Sequence, residues 1–288
     1  MAADDRPYKN IVAVLATIHG KERAIGPVLA KGLGLRVALA MGLNTVCFGT
    51  FSRDVERTGS QLDAARAKIA AAFEYAPYAR VGIASEGSFG PHPYIPFLAV
   101  DRELVLLIDR ERGLELAGHF ASPETNCGHA VAADMEAAIA FAERSKFPEH
   151  GLIVMGCVDE KPAPGLALFK DVVDHVALEE AIGKVVAKCG AAFVEADMRA
   201  HRNPTRMRAI ERAARDLVRR FRSQCPSCAH PGFDVAERIA GLPCEWCGEP
   251  TLVIRSEVLT CQACDFRQER PATSAATAGP GRCESCNP

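Results

Sequence analysis

The chain has 288 residues, enough for one large domain or two domains. Its 34 Lys and Arg residues and 36 Asp and Glu residues give a formal net charge of −2, which excludes a polycationic protein and confines any basic surface to a local patch. No apolar run approaches the ~18 residues that span a bilayer, and the N-terminal segment MAADDRPYKN lacks the basic-then-apolar layout of a secretory signal. We therefore expect a cytoplasmic protein that does not contact membranes.

Strands and helices alternate in the first 76 residues. KNIVAVLAT (9–17) predicts a buried strand, and the following residues predict a helix that Gly32 and Gly34 end. LRVALAMG (35–42) predicts a second strand, and GTFSRDVERTG (49–59) a loop. SQLDAARAKIAAAFEYA (60–76) predicts an amphipathic helix with Ser60 as its N-cap.

The pattern continues to residue 222 with one antiparallel segment. A strand at 79–87 enters a glycine-rich turn, and residues 97–120 predict a meander in which 101–103 and 110–113 are turns. Further elements are helices at 134–145 and 176–190, strands at 150–158 and 191–198, and a long helix from Pro204 to about 222 that Asn203 caps. This order predicts an α/β fold, with residues 1–222 forming a three-layer domain around a mixed, partly antiparallel sheet.

The C-terminal segment, 223–288, predicts a small zinc-ribbon-like domain that binds two metal ions. It contains four CxxC pairs: Cys225/Cys228, Cys244/Cys247, Cys261/Cys264 and Cys283/Cys286. Two such pairs supply the four thiolates of a tetrahedral structural zinc site, so we expect two structural zinc ions, with iron as the minor alternative. The ribbon layout favours the two inner pairs sharing one ion and the two outer pairs sharing the other, although sequential or crossed pairing remains open. The alternative to a functional role is a purely structural one, in which the metal ions only stabilise a small segment that has few core residues.

Two polar clusters lie where predicted strands end. In ATIHGKE (16–22), His19 and Lys21 occupy a strand-to-helix turn whose backbone N–H groups favour an anion. In ASEGSFGPHP (84–93), Glu86 is placed for Mg²⁺ binding or general-base chemistry, and His92 is the best candidate acid. Helix capping and a solvent-exposed turn are the competing structural interpretations.

A third cluster, VEADMRAHRNPTR (194–206), joins carboxylates to arginines. Glu195 and Asp197 alternate on one face of a strand, so both could hold a metal or activate water. The anion-binding candidates that follow them are Arg199, Arg202, Asn203 and Arg206. The same residues could instead form a structural salt-bridge network. The later arginines of the helix lie mostly off its apolar stripe and predict a solvated basic face.

These motifs, in this order, resemble an uncharacterised bacterial family, domain of unknown function 6671. The resemblance rests on ATIHGKE, ASEGSFGPHP, EADMRAHRNPTRM and the tail motifs CPSC, GLPCEWCG and CESCNP, and covers nearly the whole chain. It implies family membership and no particular activity.

Residues 10–120 also resemble, more weakly, the inosine/xanthosine triphosphatase group of nucleotide pyrophosphatases. The shared features are the ATxxxKE turn, the segment AARAKIAAAFEYAPYARVGIASEG and the hairpin DRELVLLIDRERGLELAG. The resemblance implies that Lys21 binds phosphate and Glu86 binds Mg²⁺. This chain departs from the pattern at His19–Gly20, where an asparagine is expected, and at Ser88, where a second glycine is expected.

Together these features predict a metal-dependent hydrolase or transferase acting on a phosphorylated small molecule, with a nucleotide as one candidate. The alternatives are a zinc-ribbon protein that binds nucleic acid through the basic helix, and an adaptor whose ribbon docks a partner protein. All enzymatic versions require the three polar clusters to converge.

Overall fold

The computed structural model describes residues 6–43, 59–92 and 95–287. The chain divides into two compact units, residues 1–218 and 219–288. The loop predicted at 49–59 lies, apart from Gly59, outside the described residues.

A five-stranded mixed sheet forms the centre of the first unit. Its order is β2-β1-β3-β4-β5, with β1 parallel to β2 and β3 and the remaining neighbours antiparallel. The strands are β1 (Val12–Ala16), β2 (Arg36–Leu39), β3 (Val81–Pro91), β4 (Ala99–Asp109) and β5 (Leu114–Ser122). The predicted mixed α/β class is therefore confirmed.

Helices cover both faces of this sheet. They are α1 (Glu22–Leu33), α2 (Gln61–Tyr75) and α5 (Pro204–Arg222). Ile69 of α2 packs with Leu104 and Leu106 of β4 on one face. On the other face, Gly118 of β5 lies against the backbone of α5. The layers are thus helix, sheet and helix, as predicted.

Ser60 caps α2 as its sequence predicts. Its side chain accepts a hydrogen bond from the backbone N–H of Asp63, and the Asp63 carboxylate accepts one from the Ser60 N–H in return. This capping box satisfies two N–H groups at the beginning of the helix.

A second, fully antiparallel sheet follows in the same unit. Its order is β6-β9-β7-β8, and α3 (Met135–Arg144) and α4 (His175–Cys189) pack on one of its faces. The strands are β6 (His129–Ala132), β7 (Leu152–Val158), β8 (Lys161–Val172) and β9 (Ala192–Ala196). The sequence predicted β7 and β9 but neither β6 nor β8.

The turn predicted at 101–103 is wrong, whereas the turn at 110–113 is confirmed. Asp101 and Glu103 lie inside β4, where Glu103 is paired with Gly87 of β3 and Asp101 with Phe89. Glu103 is tolerated in this interior strand because Arg206 forms an ion pair with it on the buried face of the sheet.

The second unit contains a three-stranded antiparallel sheet. It consists of β10 (Asp234–Ala240), β11 (Ile254–Thr260) and β12 (Arg267–Pro271), in that order. The chain that follows β12 reaches back to the residues before β11, because Ala278 donates its N–H to the carbonyl of Pro243 at 2.8 Å.

The packing of α5 on β5 predicts an intolerance of side chains at Gly118. A Cβ there would lie 2.2 Å from the Leu217 backbone nitrogen and 2.3 Å from the Ala213 carbonyl oxygen. We expect Gly118→Ala to lower the free energy of unfolding by ~3 kcal/mol in urea titrations, because neither backbone atom can move independently. Gly165→Ala in β8 is the control, since no described atom lies within 4 Å of its Cβ. Equal losses in the two variants would contradict this packing.

Candidate functional site

Lys21 stands at the turn between β1 and α1, and its side chain is buried. Its Nζ donates to the Ser85 carbonyl of β3 at 2.7 Å and lies 3.4 Å from the Ser85 hydroxyl. Burial, followed by the charge of Arg206, lowers the pKa of Lys21 to about 7, although Glu86 and Glu103 act in the opposite direction. The first and second polar clusters therefore meet at this amine.

His19 connects the same turn to the arginine-rich segment. Its ring stacks on that of His201, with centroids 5.1 Å apart. Burial, then the charges of Lys21, His201, Arg206 and Arg199, lowers the pKa of His19 to about 3. The imidazole is therefore neutral at pH 7, and the first and third clusters converge around it.

Arg206 lies in the first turn of α5 and is almost completely buried. Its Nε donates to Glu103 Oε1 at 2.6 Å, and its guanidinium also donates to the Met198 carbonyl oxygen. The guanidinium carbon lies 5.2 Å from the centroid of the Phe89 ring. Gly87 is required beneath this ion pair, because a Cβ there would lie 2.4 Å from Glu103 Oε1.

Asp101 and Glu103 form a buried carboxyl pair that the sequence analysis missed. Burial, followed by the charge of Glu103, raises the pKa of Asp101 to about 7, so the pair holds a proton near neutral pH. The protonated form of the pair is joined by a hydrogen bond between Asp101 and Glu103, and no other described residue donates to Asp101 Oδ1 or Glu103 Oε2. The signal that could have revealed the pair is its D-x-E spacing, which places both side chains on one face of a strand.

Glu86 points to the opposite face of the sheet. Strand alternation places it with Leu104, on the side of α2, where its carboxylate forms a buried ion pair with Lys68. Gln61 of α2 donates to the Glu86 carbonyl at 3.3 Å and to the Arg102 carbonyl at 2.9 Å. The Glu86 side chain is thus neutralised by Lys68, and its assignment to metal binding stays a prediction.

Asp197 and Arg199 belong to a salt-bridge network at the end of β9. Arg199 Nη2 lies 2.6 Å from Asp197 Oδ2 and 3.0 Å from Asp171 Oδ1. Asp171 also accepts from Arg202 Nε at 2.7 Å. This network fits the structural alternative for the third cluster, while Arg199 still contributes positive charge near His19.

Asn203 positions the beginning of α5. Its Oδ1 accepts from the Arg206 backbone N–H at 3.0 Å, which confirms its predicted capping role. Its Nδ2 donates to Asn126 Oδ1 at 2.8 Å, and Asn126 donates in turn to the Ser145 carbonyl. Asn203 therefore fixes the position of Arg206, and its predicted contact with an anion stays untested.

Glu195 and His92 lie on elements other than the turn that carries Lys21. Glu195 lies on β9, paired with His129 and Ile153 of the second sheet. His92 follows the end of β3, and its N–H donates to the Leu98 carbonyl at 2.7 Å. It is seven residues beyond Ser85, or roughly 23 Å along an extended strand.

The eight cysteines of the second unit form two groups of four. Cys225, Cys228, Cys261 and Cys264 make one group, and Cys244, Cys247, Cys283 and Cys286 make the other. The closest sulfur–sulfur distances between pairs are 3.6 to 3.9 Å. A tetrahedron with metal–sulfur bonds of ~2.3 Å has edges of ~3.8 Å, so both groups fit a tetrahedrally bound metal ion.

The pairing favoured from the sequence, in which the two inner CxxC pairs share one ion and the two outer pairs share the other, is wrong. The first CxxC pair joins the third, and the second joins the fourth. Antiparallel pairing of Asp234 with Thr260 brings the beginning of β10 to the end of β11, and hence the first CxxC pair to the third. The bridge between Cys244 and Ala278 brings the fourth pair to the second. The sheet therefore interleaves the two sites.

Metal content tests this interleaving. We expect Cys225→Ser/Cys261→Ser to lose one metal ion per chain, because both cysteines belong to one group, and Cys244→Ser/Cys261→Ser to lose two. Plasma mass spectrometry of the purified chain gives the counts. The single variant Cys261→Ser should retain one ion, which establishes that the sites fill independently. Loss of two ions by Cys225→Ser/Cys261→Ser and of one by Cys244→Ser/Cys261→Ser would instead support a site shared by the two inner CxxC pairs and another shared by the two outer pairs.

Among the described residues, no helix is both long and apolar enough to cross a membrane. No match to a curated protein was found. Residues 69–288, most of the chain, match one family, described as domain of unknown function (DUF6671). The chain therefore belongs to the family DUF6671.

Proposed function

We propose that the protein is a metal-dependent hydrolase or transferase that acts on a phosphorylated small molecule. The observation that carries the proposal is the buried Lys21 amine beside Arg206 and His19. Holding these groups together out of water costs free energy, which appears as the lowered pKa values. An anionic group bound against Lys21 would offset this cost and restore the ammonium form.

The beginning of α1 supports the same ligand. The helix starts at Glu22, directly after Lys21, and the Lys21 side chain makes no capping hydrogen bond. The N–H groups of Arg23 and Ala24 donate to the carbonyls of Gly20 and Lys21, so the attraction for negative charge at this end comes mainly from the helix dipole. Phosphate carries such a charge and can also accept a hydrogen bond from the lysine.

The carboxyl pair would supply the Mg²⁺ site of such an enzyme. Asp101 and Glu103 hydrogen-bond to each other when one of them is protonated, and among the described residues Asp101 Oδ1 and Glu103 Oε2 are buried and have no other donor. Mg²⁺ commonly binds one or two carboxylates together with phosphate oxygens, so the donor set fits the ion. When bound, Mg²⁺ would neutralise charge on the phosphate oxygens. Without it, the same pair holds a proton that could be delivered to a leaving group.

The two cysteine groups are proposed to bind structural zinc. Four thiolates at tetrahedral spacing are the preferred ligands of zinc in proteins and leave no coordination position for water or substrate. The metals would thus stabilise the second unit without taking part in the reaction.

Nucleic-acid binding is less well supported than the enzymatic function. Several arginines of α5 and its end are already paired, such as Arg215 with Glu211 and Arg219 with Asp234. Residues 219–288 contain eight arginines, no lysine and eight acidic residues. Two zinc–tetrathiolate centres would each add about two negative charges, giving a surface that repels phosphate backbones.

A protein-binding role for the second unit is the second candidate. It is favoured by two large apolar side chains that are mostly exposed, Trp246 at 73% and Leu252 at 77%. Aromatic anchors of this kind are common in protein interfaces.

A screen for phosphate and pyrophosphate release tests the enzymatic proposal. Nucleotides are tested first, because residues 10–120 resemble the inosine/xanthosine triphosphatases, and sugar phosphates are tested next. We expect Mg²⁺-dependent release that falls by ~10²-fold in Asp101→Asn, because the amide can neither give up a proton nor bind the cation well.

The control for this screen is Glu211→Gln, which also replaces a carboxylate by an amide but lies on α5, paired with Arg215. Its activity should equal that of the wild type. Full activity in Asp101→Asn would remove the carboxyl pair from the reaction. If no substrate released phosphate or pyrophosphate, the enzymatic proposal would be contradicted and the protein-binding role of the second unit would be favoured.

A further inference from the structure

We infer that a second oxyanion-binding site lies beside α5, at a small cavity lined by Lys146, Arg208 and Arg212, and that it takes one phosphate-sized dianion. The cavity has a volume of about 140 Å³. This inference is independent of the proposed enzymatic function.

The site is distinct from the Lys21 cluster. Successive residues of an α-helix are rotated by ~100°, so Arg208 projects from nearly the opposite side of α5 to Arg206. Arg206 is buried against Glu103 of β4, whereas Arg208 is exposed. Arg212 follows Arg208 by four residues and therefore lies on the same side.

The cations around this cavity differ from the other arginines of the region because they have no acidic partner. Arg199, Arg202, Arg206, Arg215, Arg219 and Arg220 each pair with a carboxylate. Within the described part of the chain, none of Lys146, Arg208 and Arg212 does so. Glu124 also lines the cavity but pairs with none of them, which leaves an excess of positive charge.

Hydroxyl groups complete a lining suited to oxygen ligands. Ser122, Thr125 and Thr205 all contribute to the wall. Arg208 Nη2 donates to Thr205 Oγ1 at 3.0 Å, which directs the guanidinium along the wall of the cavity. Thr205 Oγ1 also lies 2.9 Å from Nε2 of the buried His150.

Two further observations concern the preorganisation of the site and the charges around it. The Arg212 guanidinium lies over the Phe120 ring, 5.1 Å from its centroid, which restricts its motion. Burial lowers the pKa of His150; the charge of Glu149 raises it, and the smaller effects of the Lys146 and Arg208 charges lower it. The volume of the cavity accommodates one phosphate group.

Binding of inorganic phosphate to the full chain tests the inference. Equilibrium dialysis without Mg²⁺ gives both stoichiometry and affinity. We expect Arg208→Gln/Arg212→Gln to bind one equivalent of phosphate fewer than the wild type, with affinity for this site reduced by at least about tenfold through the loss of charge-assisted hydrogen bonds. Any phosphate bound at the Lys21 cluster would remain in the variant, so the two sites are distinguished.

The matched control is Arg215→Gln, another exposed arginine of α5, which should bind phosphate like the wild type. All three side chains are exposed, so the variants should fold, and urea titration checks this. Unchanged stoichiometry in the double variant, an equal loss in Arg215→Gln, or no phosphate bound by the wild type at millimolar concentration would overturn the inference.

Discussion

The buried ion pair between Arg206 and Glu103 is the contact on which the arrangement of the first unit depends. It joins the first turn of α5 to β4 and, through the Met198 carbonyl, to the segment that leaves the second sheet. Removing one partner of such a pair leaves an uncompensated buried charge and typically costs about 3–5 kcal/mol. Gly87 leaves room for the pair, and Asn203 sets the helix so that Arg206 reaches it.

This ion pair also sets the electrostatics of the candidate site. Because Arg206 is fixed in the interior, its charge acts on Lys21 and His19 and lowers the pKa of both. Burial and the negative charge of Glu103 raise the pKa of the neighbouring Asp101. An amine and a carboxyl that both titrate near pH 7 are thus held by one buried network. Such opposed shifts in one place are typical of sites that exchange protons or bind ions.

The sequence predicted most elements of the fold but not the side-chain partners that define the site. Periodic apolar patterns located β1, α2 and α5, and Ser60 and Asn203 were identified as caps from local chemistry. β8 was missed because Pro162 and Pro164 are typical of loops, yet prolines are tolerated at the edge of a sheet, where β8 lies. The cysteine pairing could not be predicted, since it depends on the register of β10 and β11. Likewise, only the tertiary structure shows that Glu86 and Glu103 point to opposite faces.

The most direct test of the central claim is the titration of the Lys21 amine by NMR, with and without pyrophosphate. Selective ¹³C labelling of lysine and comparison with Lys21→Arg assign the signal. The account predicts a pKa of about 7 for the free protein, where burial and Arg206 act on the amine, and a rise of at least about one unit when the anion binds. An ordinary lysine pKa, or a lowered value that pyrophosphate leaves unchanged, would contradict an anion site at Lys21.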